Sequence, residues 1–551
     1  MKMKKLTQKR YFKVKRKTIL LLLILFVAYA GKAQEKETFR LITDRDLYVS
    51  GETLLLKLFA PSTEKSGIVN VDLINHDGKL ITGITKQIVD LQADGFIYLP
   101  DSLGSGCYLL RVATRTSTIL TIKELYISNR FNGLPESNSD LRPSGILPLN
   151  EAADQTLQIE GIASRYKARE KGKAAVHLPN ELLNQIEGNL LVSVAEVTPE
   201  YSTSEFTLNA APKTGQIIEA EGIILEGIVS DKRTSLPFKG AIVNLSIPDS
   251  IPGFQYFITG DDGRFYFQIK NYYGKIPVVI QCYSNDKTQL LKMVLIDPEN
   301  LKKVMPNFET KAFPSGLRKN IERSTDAVTF RKIFNQQDIT TVPSPLTKNN
   351  GYPFYGVPSK TVDPKLFFDL PDFTEISREL LPGVKFRAYN RIPTLQVFNL
   401  PQQNYFNDTP LLLIDGIPIR DLNLIRDMGS KDIDKIEVCQ TERFYGDLRF
   451  PGVVALYTSK ADYTRLPESD NLIKLNLDVF QPQAILNSTS ASQSSDPDLR
   501  PVLIWNPATK PQQTIALDFQ TSDIKGNFKL MIRGKTKDGS TFYKEQKFEV
   551  Q

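Results

Sequence analysis

The side chains that could do chemistry in this 551-residue chain are few and far apart. Its two histidines are His76, in the turn-forming run Asn75-His76-Asp77-Gly78, and His177, in the strand-like alternation Ala175-Val176-His177-Leu178. A hydrolytic zinc site needs two or three histidines in one place, commonly as H-E-x-x-H, and neither histidine here has a carboxylate or a serine at a motif spacing. The three cysteines, Cys107, Cys282 and Cys439, are odd in number and widely separated, which does not suit a disulfide framework or a zinc cluster. Each sits in an apolar, strand-like context and reads as a small buried thiol, with one bridge in an oxidising compartment as the alternative. No G-x-S-x-G nucleophile elbow occurs. Gly104-Ser105-Gly106-Cys107 is glycine-rich but lacks the lysine and helix start of a phosphate loop. Asp261 with Asp262, and Asp496-Pro497-Asp498, carry calcium-type oxygens, yet turn and loop solvation accounts for them better. No catalytic, cofactor-binding or metal-ligating residue is assigned, and the chain is expected not to be an enzyme.

The elements around these residues are short strands separated by turn chemistry. Val69 to Ile74 runs into Asn75-His76-Asp77-Gly78, and another strand starts at Leu80. Gly260-Asp261-Asp262-Gly263 precedes Arg264 to Ile269 and reads as a hairpin turn, as does Lys537-Asp538-Gly539-Ser540 near the end. Heptads and long 3.6-residue periodicity are missing, so the expected class is mainly β: tandem Ig-like or macroglobulin-like β-sandwiches with an inserted α+β plug-like domain. Gly133 to Pro148 is read as a linker, Leu317 to Asn335 as a helix, Val342 to Pro364 as a Pro- and Gly-rich connection and Leu486 to Pro501 as a surface loop.

The first residues bear on the compartment. Nine Lys or Arg between Met1 and Lys17 precede the apolar run Ile19 to Ala30 and the small-residue site Gly31-Lys32-Ala33. That order predicts a cleaved export signal over residues 1–33, because the apolar run is shorter than the roughly 20 residues a bilayer span needs. The full chain has 69 Lys+Arg against 62 Asp+Glu; ten cations and no anions lie in residues 1–33, leaving 59 against 62. A near-neutral remainder gives no reason to expect nucleic acid or an anionic membrane surface as partner. No transmembrane segment is expected in the mature chain, which is placed in the periplasm or at the outer membrane.

Four stretches carry resemblances. Thr43-Asp44-Arg45-Asp46-Leu47-Tyr48-Val49-Ser50-Gly51-Glu52-Thr53, leading into Leu54 to Leu58, resembles the opening of a macroglobulin-type sandwich, here residues 34–132. A related pattern from Tyr166 to Lys171, with Leu190 to Val197, suggests a second over residues 149–220. Leu225 to Ser230, Gly240 to Val243 and Gly260 to Phe267 resemble a carboxypeptidase-regulatory-like domain, a non-catalytic sandwich, over residues 221–297. Residues 298–370 read as a helical and Pro-rich linker. The fourth stretch, residues 371–462, resembles the plug domain of TonB-dependent receptors, and the residues that carry this are Pro382-Gly383, Asp415-Gly416, Ile436-Glu437-Val438, Gly446 and Gly452-Val453. Ile504-Trp505-Asn506-Pro507 and Gly526 to Ile532 are similar to an Ig-like macroglobulin domain, so residues 463–551 either form their own sandwich or complete the second one. Trp505 reads as a core anchor.

Two departures limit what these resemblances imply. A receptor barrel of about 22 strands takes about 220 residues, and 89 follow Asp462. None of the three cysteines is followed by Gly, so the Cys-Gly-Glu-Gln thioester of α-macroglobulins is absent. The whole resembles Bacteroidota envelope proteins that combine these modules. The implied function is a non-enzymatic periplasmic or outer-membrane-associated scaffold with an envelope protein partner, an outer-membrane barrel among the candidates. The alternatives are an accessory component of TonB-dependent nutrient uptake and a macroglobulin-like protease-interacting protein without thioester.

Overall fold

A computed structural model describes residues 38–117, 119–132, 154, 156–197, 205–209, 217–249, 251–286, 288–296, 317–334, 336–337, 339–342, 351–389, 392–459, 466–487 and 496–551. The expected export signal and the linker Gly133 to Pro148 lie outside these residues, as do residues 488–495 of the loop expected from Leu486 to Pro501. The chain is mainly β. No described helix is long and apolar enough to cross a membrane.

Strand Thr53–Phe59 shows how the first sandwich arises. Leu54, Leu56 and Leu58 alternate onto one face, as a strand requires, and meet Val69, Val71, Leu110 and Leu125 of the opposing sheet. Burying each such side chain contributes about 1.5–3 kcal/mol relative to leaving it in water. One sheet orders Arg40–Thr43, Thr53–Phe59 and Gln92–Tyr98; the other orders Glu205–Asn209, Ile119–Ser128, Gly106–Ala113, Ile68–Ile74 and Leu80–Gln87. Glu205–Asn209 falls in the span read as the second sandwich. It joins the first sandwich instead, because Phe206 and Leu208 cover Ile74, Leu109, Leu120 and Ile122 on the outside of that sheet.

The second sandwich takes its strands from both ends of the remaining chain. Ile186–Glu196 pairs with Val502–Thr509 on one side and Gly526–Thr536 on the other, and Lys171–His177 pairs with Thr514–Gln520. Residues 463–551 therefore do not form a separate sandwich: the strands from Val502 onward share the core of Val176, Val192, Leu530 and Phe548. The segment's first strand, Leu472–Asp478, goes elsewhere again. It pairs with Lys275–Tyr283 and completes the third sandwich, whose sheets order Arg264–Ile269, Ile223–Asp231, Leu291–Leu295 and Gly253–Ile258, Ile242–Ile247, Lys275–Tyr283, Leu472–Asp478. The expected Gly260–Gly263 hairpin is a crossover: the strands on its two sides belong to different sheets, so Phe265 and Phe267 enter the core from the sheet opposite Ile242–Ile247.

Between Leu291–Leu295 and Leu472–Asp478 lies an α+β unit. Its sheet orders Lys360–Val362, Ile433–Cys439, Val453–Thr458, Leu411–Ile414 and Ile417–Ile419. Helix Phe373–Leu380, capped where the Asp372 carboxylate accepts from the Glu375 N–H at 2.9 Å, lays Phe373, Ile376 and Leu380 on one face of that sheet. Strand Lys360–Val362 thus belongs to this unit, although residues 298–370 read as linker, because Val362 is one of its core residues. Helix Arg318–Ile333 packs Ile321 and Val328 on Leu47, Val49 and Tyr126 of the first sandwich. The architecture is nested: the second sandwich encloses the third in sequence, and the third encloses the α+β unit.

Candidate interaction site

The residues singled out in the α+β unit serve turns and a docking seam. Gly383, at φ +88°, follows helix Phe373–Leu380 and turns the chain into Val384–Tyr389. Asp415 and Gly416, at φ +50° and +81°, form the two-residue turn between Leu411–Ile414 and Ile417–Ile419. The Asp415 carboxylate accepts from the Thr458 N–H and from the Thr458 hydroxyl, each at 2.7 Å, tying that turn to the end of the neighbouring strand. Pro382 is the residue whose carbonyl accepts from the Gln440 amide at 3.4 Å. Ile436 and Val438 are core residues, and Gly452, at φ +82°, leads into Val453 on the opposite face of the sheet.

Gly416 and Gly446 have a second role. A Cβ on Gly416 would overlap Pro252, and a Cβ on Gly446 would overlap the Tyr256 hydroxyl. Both neighbours belong to the third sandwich, so these glycines let the α+β unit approach it closely. An aromatic seam fills the junction. Phe254 stacks on Phe354 with centroids 4.1 Å apart, and Tyr445 meets both rings edge-on while donating its hydroxyl to the Phe254 carbonyl at 2.9 Å. Those aromatics come from three separate stretches, and a local pattern could not have paired them.

Glu437 is buried at the other face of the α+β sheet. The Tyr355 hydroxyl donates to it at 2.5 Å and lies 2.7 Å from the Tyr457 hydroxyl, while the Lys435 ammonium donates to it at 2.8 Å. Burial, reinforced at Tyr355 by its hydrogen bonds to Glu437 and Tyr457, raises both phenols well above the ordinary tyrosine range. Such phenols stay protonated and donate; they are poorly suited to act as bases or nucleophiles. The cluster fixes the Tyr355 segment against the sheet.

The other candidate groups do not converge. His76, in the first sandwich, sits beside Asp77 at 3.1 Å, whereas His177, in the second, bonds Thr514 at 3.1 Å and lies 3.5 Å from Glu160 of the adjoining strand. Cys107, Cys282 and Cys439 lie in three different sheets, and burial pushes the Cys282 thiol up to about 12. Asp261 pairs with Lys239 at 2.8 Å. Among the described residues no group of three His, Cys, Asp or Glu is placed to hold a metal.

A cavity of about 390 Å³ opens where the first sandwich, the end of helix Arg318–Ile333 and the second sandwich meet. Its lining guanidiniums face carboxylates. Arg45 bonds Asp44 at 3.1 Å and Glu52 at 3.0 Å, Arg331 lies 3.8 Å from Glu52, and Arg500 grips Asp498 through two 2.7 Å bonds. Burial raises the Asp44 carboxyl against the pull of Arg45; burial also opposes the Arg45 cation, but Glu52 and Asp44 outweigh it and raise its pKa. Balanced charge of this kind joins modules and offers no excess cation to an anionic ligand.

The surface feature that sequence reading passed over is Leu366-Phe367-Phe368. These three consecutive side chains of the α+β unit are 80%, 54% and 92% exposed. Lys365, which pairs with Asp434, and Lys431, which pairs with Asp369, stand at either side. The signal available was an apolar run without alternation between Pro364-Lys365 and Asp369.

No protein-family model matches the chain, and no curated protein matches it. Among solved structures, a Salmonella alpha-2-macroglobulin reacted with methylamine aligns over 94% of this chain and 39% of its own, at 11% identity and a TM-score of 0.22. An Escherichia coli alpha-2-macroglobulin activated by porcine elastase aligns over 94% of this chain and 53% of its own, at 10% identity and a TM-score of 0.15. Dimeric latent PorU from Porphyromonas gingivalis aligns over 47% of this chain and 34% of its own, at 10% identity and a TM-score of 0.15. The chain thus spans about two fifths of the Salmonella protein's length.

Proposed function

We propose that this chain is a non-enzymatic interaction protein of the cell envelope, in which nested sandwiches present the plug-like α+β unit to a protein partner. The observation that carries the reading is the exposure of Leu366, Phe367 and Phe368 on that unit. Large apolar side chains left in water forgo the roughly 1.5–3 kcal/mol each that burial provides, and three in a row form a patch suited to a partner's surface. The seam of Phe254, Phe354 and Tyr445 supports it, because a unit braced on its neighbour holds such a patch in one place. The basic, apolar and small-residue order of residues 1–33 supports export.

A photo-crosslinking residue at position 368, compared with one at the exposed position Lys173, tests this in intact cells. The expected result is a crosslink to one envelope protein from position 368 only, lost when Leu366 and Phe367 are changed to Asp. Equal labelling from both positions, or none from 368, would overturn the reading.

A further inference from the structure

A long, regular sheet edge lies open on the second sandwich. Strand Thr514–Gln520 is the outermost strand of the three-stranded sheet that continues through Lys171–His177 to Gln158–Glu160. It pairs with Lys171–His177 along its whole length without a bulge. The Leu178 N–H donates to the Gln513 carbonyl at 2.9 Å and the Thr521 N–H to the Glu170 carbonyl at 3.0 Å, which fixes the phase of the ladder between them. Ile515, Leu517 and Phe519 are therefore the residues bonded to Lys171–His177, while Thr514, Ala516 and Asp518 turn their backbone N–H and C=O groups outward. Among the described residues nothing bonds those outward groups, and all three residues are exposed.

Sheet edges are ordinarily blunted by proline, lysine, a bulge or a covering element. Val502–Thr509 carries Pro507 and two register shifts, Ile417–Ile419 carries Pro418, and Gly253–Ile258 lies under the α+β unit. Among the described residues Thr514–Gln520 has none of these, and its one charge, Asp518, lies 3.9 Å from Lys173. Its sequence is instead complementary to itself. Turned about a two-fold axis at Leu517, the strand sets Leu517 against Leu517 of a second copy and Ile515 against Phe519. Ile515 and Phe519 are core residues and Leu517 packs on that core, so the apolar face of each sandwich continues across the junction. On the solvent face Ala516 meets Asp518, and the outward backbone groups of these two exchange hydrogen bonds. An axis at Asp518 would oppose two like charges, and one at Ala516 would set Phe519 against Gln513.

We infer that a second copy of this chain docks on Thr514–Gln520, joining two three-stranded sheets edge to edge into one antiparallel sheet. The surface belongs to the second sandwich and is independent of the Leu366–Phe368 patch. Lys173, in register with Asp518, stands near the junction, and a crosslink from it to a second copy is told by mass from one to an envelope partner. Sedimentation velocity on the full chain at up to about 200 µM tests the inference against Ala516→Pro, Ala516→Asp and Ala516→Lys. Position 516 is exposed and its N–H faces away from Lys171–His177, so the variants should keep the native melting temperature. The native chain is expected to dimerise reversibly, and Ala516→Pro to remain monomeric. Ala516→Asp, facing Asp518 of the second copy, should weaken the dimer about fivefold, and Ala516→Lys should tighten it about fivefold. Changing Leu366 and Phe367 to Asp should leave it intact. A native chain that stays monomeric at that concentration, an unaffected Ala516→Asp variant, a dimer weakened by Ala516→Lys, or one lost with Leu366 and Phe367 would overturn the assignment.

Discussion

The Tyr256 hydroxyl accepts a hydrogen bond from the Asp447 N–H at 2.9 Å, and the glycine at position 446 is what leaves room for that ring. Gly446 also holds φ +58°, where a side chain is strained. Gly446→Ala is therefore expected to lower stability by about 2–4 kcal/mol, combining backbone strain with displacement of Tyr256. Gly240→Ala is the control: it has φ +79° but open space around it, and should cost only about 1–2 kcal/mol. Thermal unfolding of the two variants measures the difference; equal losses would mean that close approach to Tyr256 contributes nothing.

Lys57 predicts a pH dependence. Its side chain is 2% exposed between the first two sandwiches, where the ammonium donates to the Gln92 amide oxygen and the Pro507 carbonyl, each at 2.8 Å. Burial lowers its pKa from 10.5 to about 8, with only partial relief from Asp94. The unfolded chain therefore holds this proton more tightly than the folded one between pH 8 and 10, and the Lys57 contribution to stability rises with pH across that window. The gain is about 2 kcal/mol. Urea unfolding of Lys57→Met should show a flatter profile than the native protein from pH 8 to 10, and parallel profiles would contradict the lowered pKa. Lys86, lowered by the same cause, remains in both proteins and cancels in the comparison.

How much of this was legible beforehand depends on how local the signal is. The Asp415-Gly416 turn, the Asn75–Gly78 hairpin and helix Arg318–Ile333 are written in neighbouring residues, since φ above zero calls for Gly or Asp and a helix is set by its own stretch. The partners of Val192, which pairs with Ile532 on one side and Asn506 on the other, are more than 300 positions away and leave no local mark. Gly260–Gly263 looked like a hairpin because the same turn chemistry serves a crossover between sheets.

Asp415 separates the turn from the cap it provides. Its carboxylate is 3% exposed and satisfies the Thr458 N–H and hydroxyl. Asp415→Ala removes both bonds and places a β-carbon residue at φ +50° without local compensation, for an expected loss of about 2–4 kcal/mol. Asp415→Asn keeps one acceptor and tolerates the left-handed backbone, so it should lose about half as much. Matched losses in chemical denaturation would show that charge on the carboxylate, and not turn geometry, sets the cost.

The nested sandwich makes the C-terminus a structural requirement for residues far upstream. Gly526–Thr536 pairs with Ile186–Glu196 on one side and Thr541–Val550 on the other, so removing residues 526–551 strips two adjacent strands from a five-stranded sheet. Leu190, Val192 and Val194 would lose Leu530, Ile532 and Phe548 from a shared core, and at about 1.5–3 kcal/mol for each buried side chain the deficit is comparable with the about 5–15 kcal/mol that stabilises a domain. Trp505, the single tryptophan, reports the outcome, because it is 8% exposed between Met531 and the first sandwich's Phe59. Truncation after Lys525 should shift its fluorescence to the red and open residues 158–196 to limited proteolysis. The Arg40–Ser128 core, built on Leu54, Leu56 and Leu110, should stay protected. A truncated chain that keeps blue-shifted emission and intact residues 158–196 would mean that the second sandwich folds without its C-terminal strands.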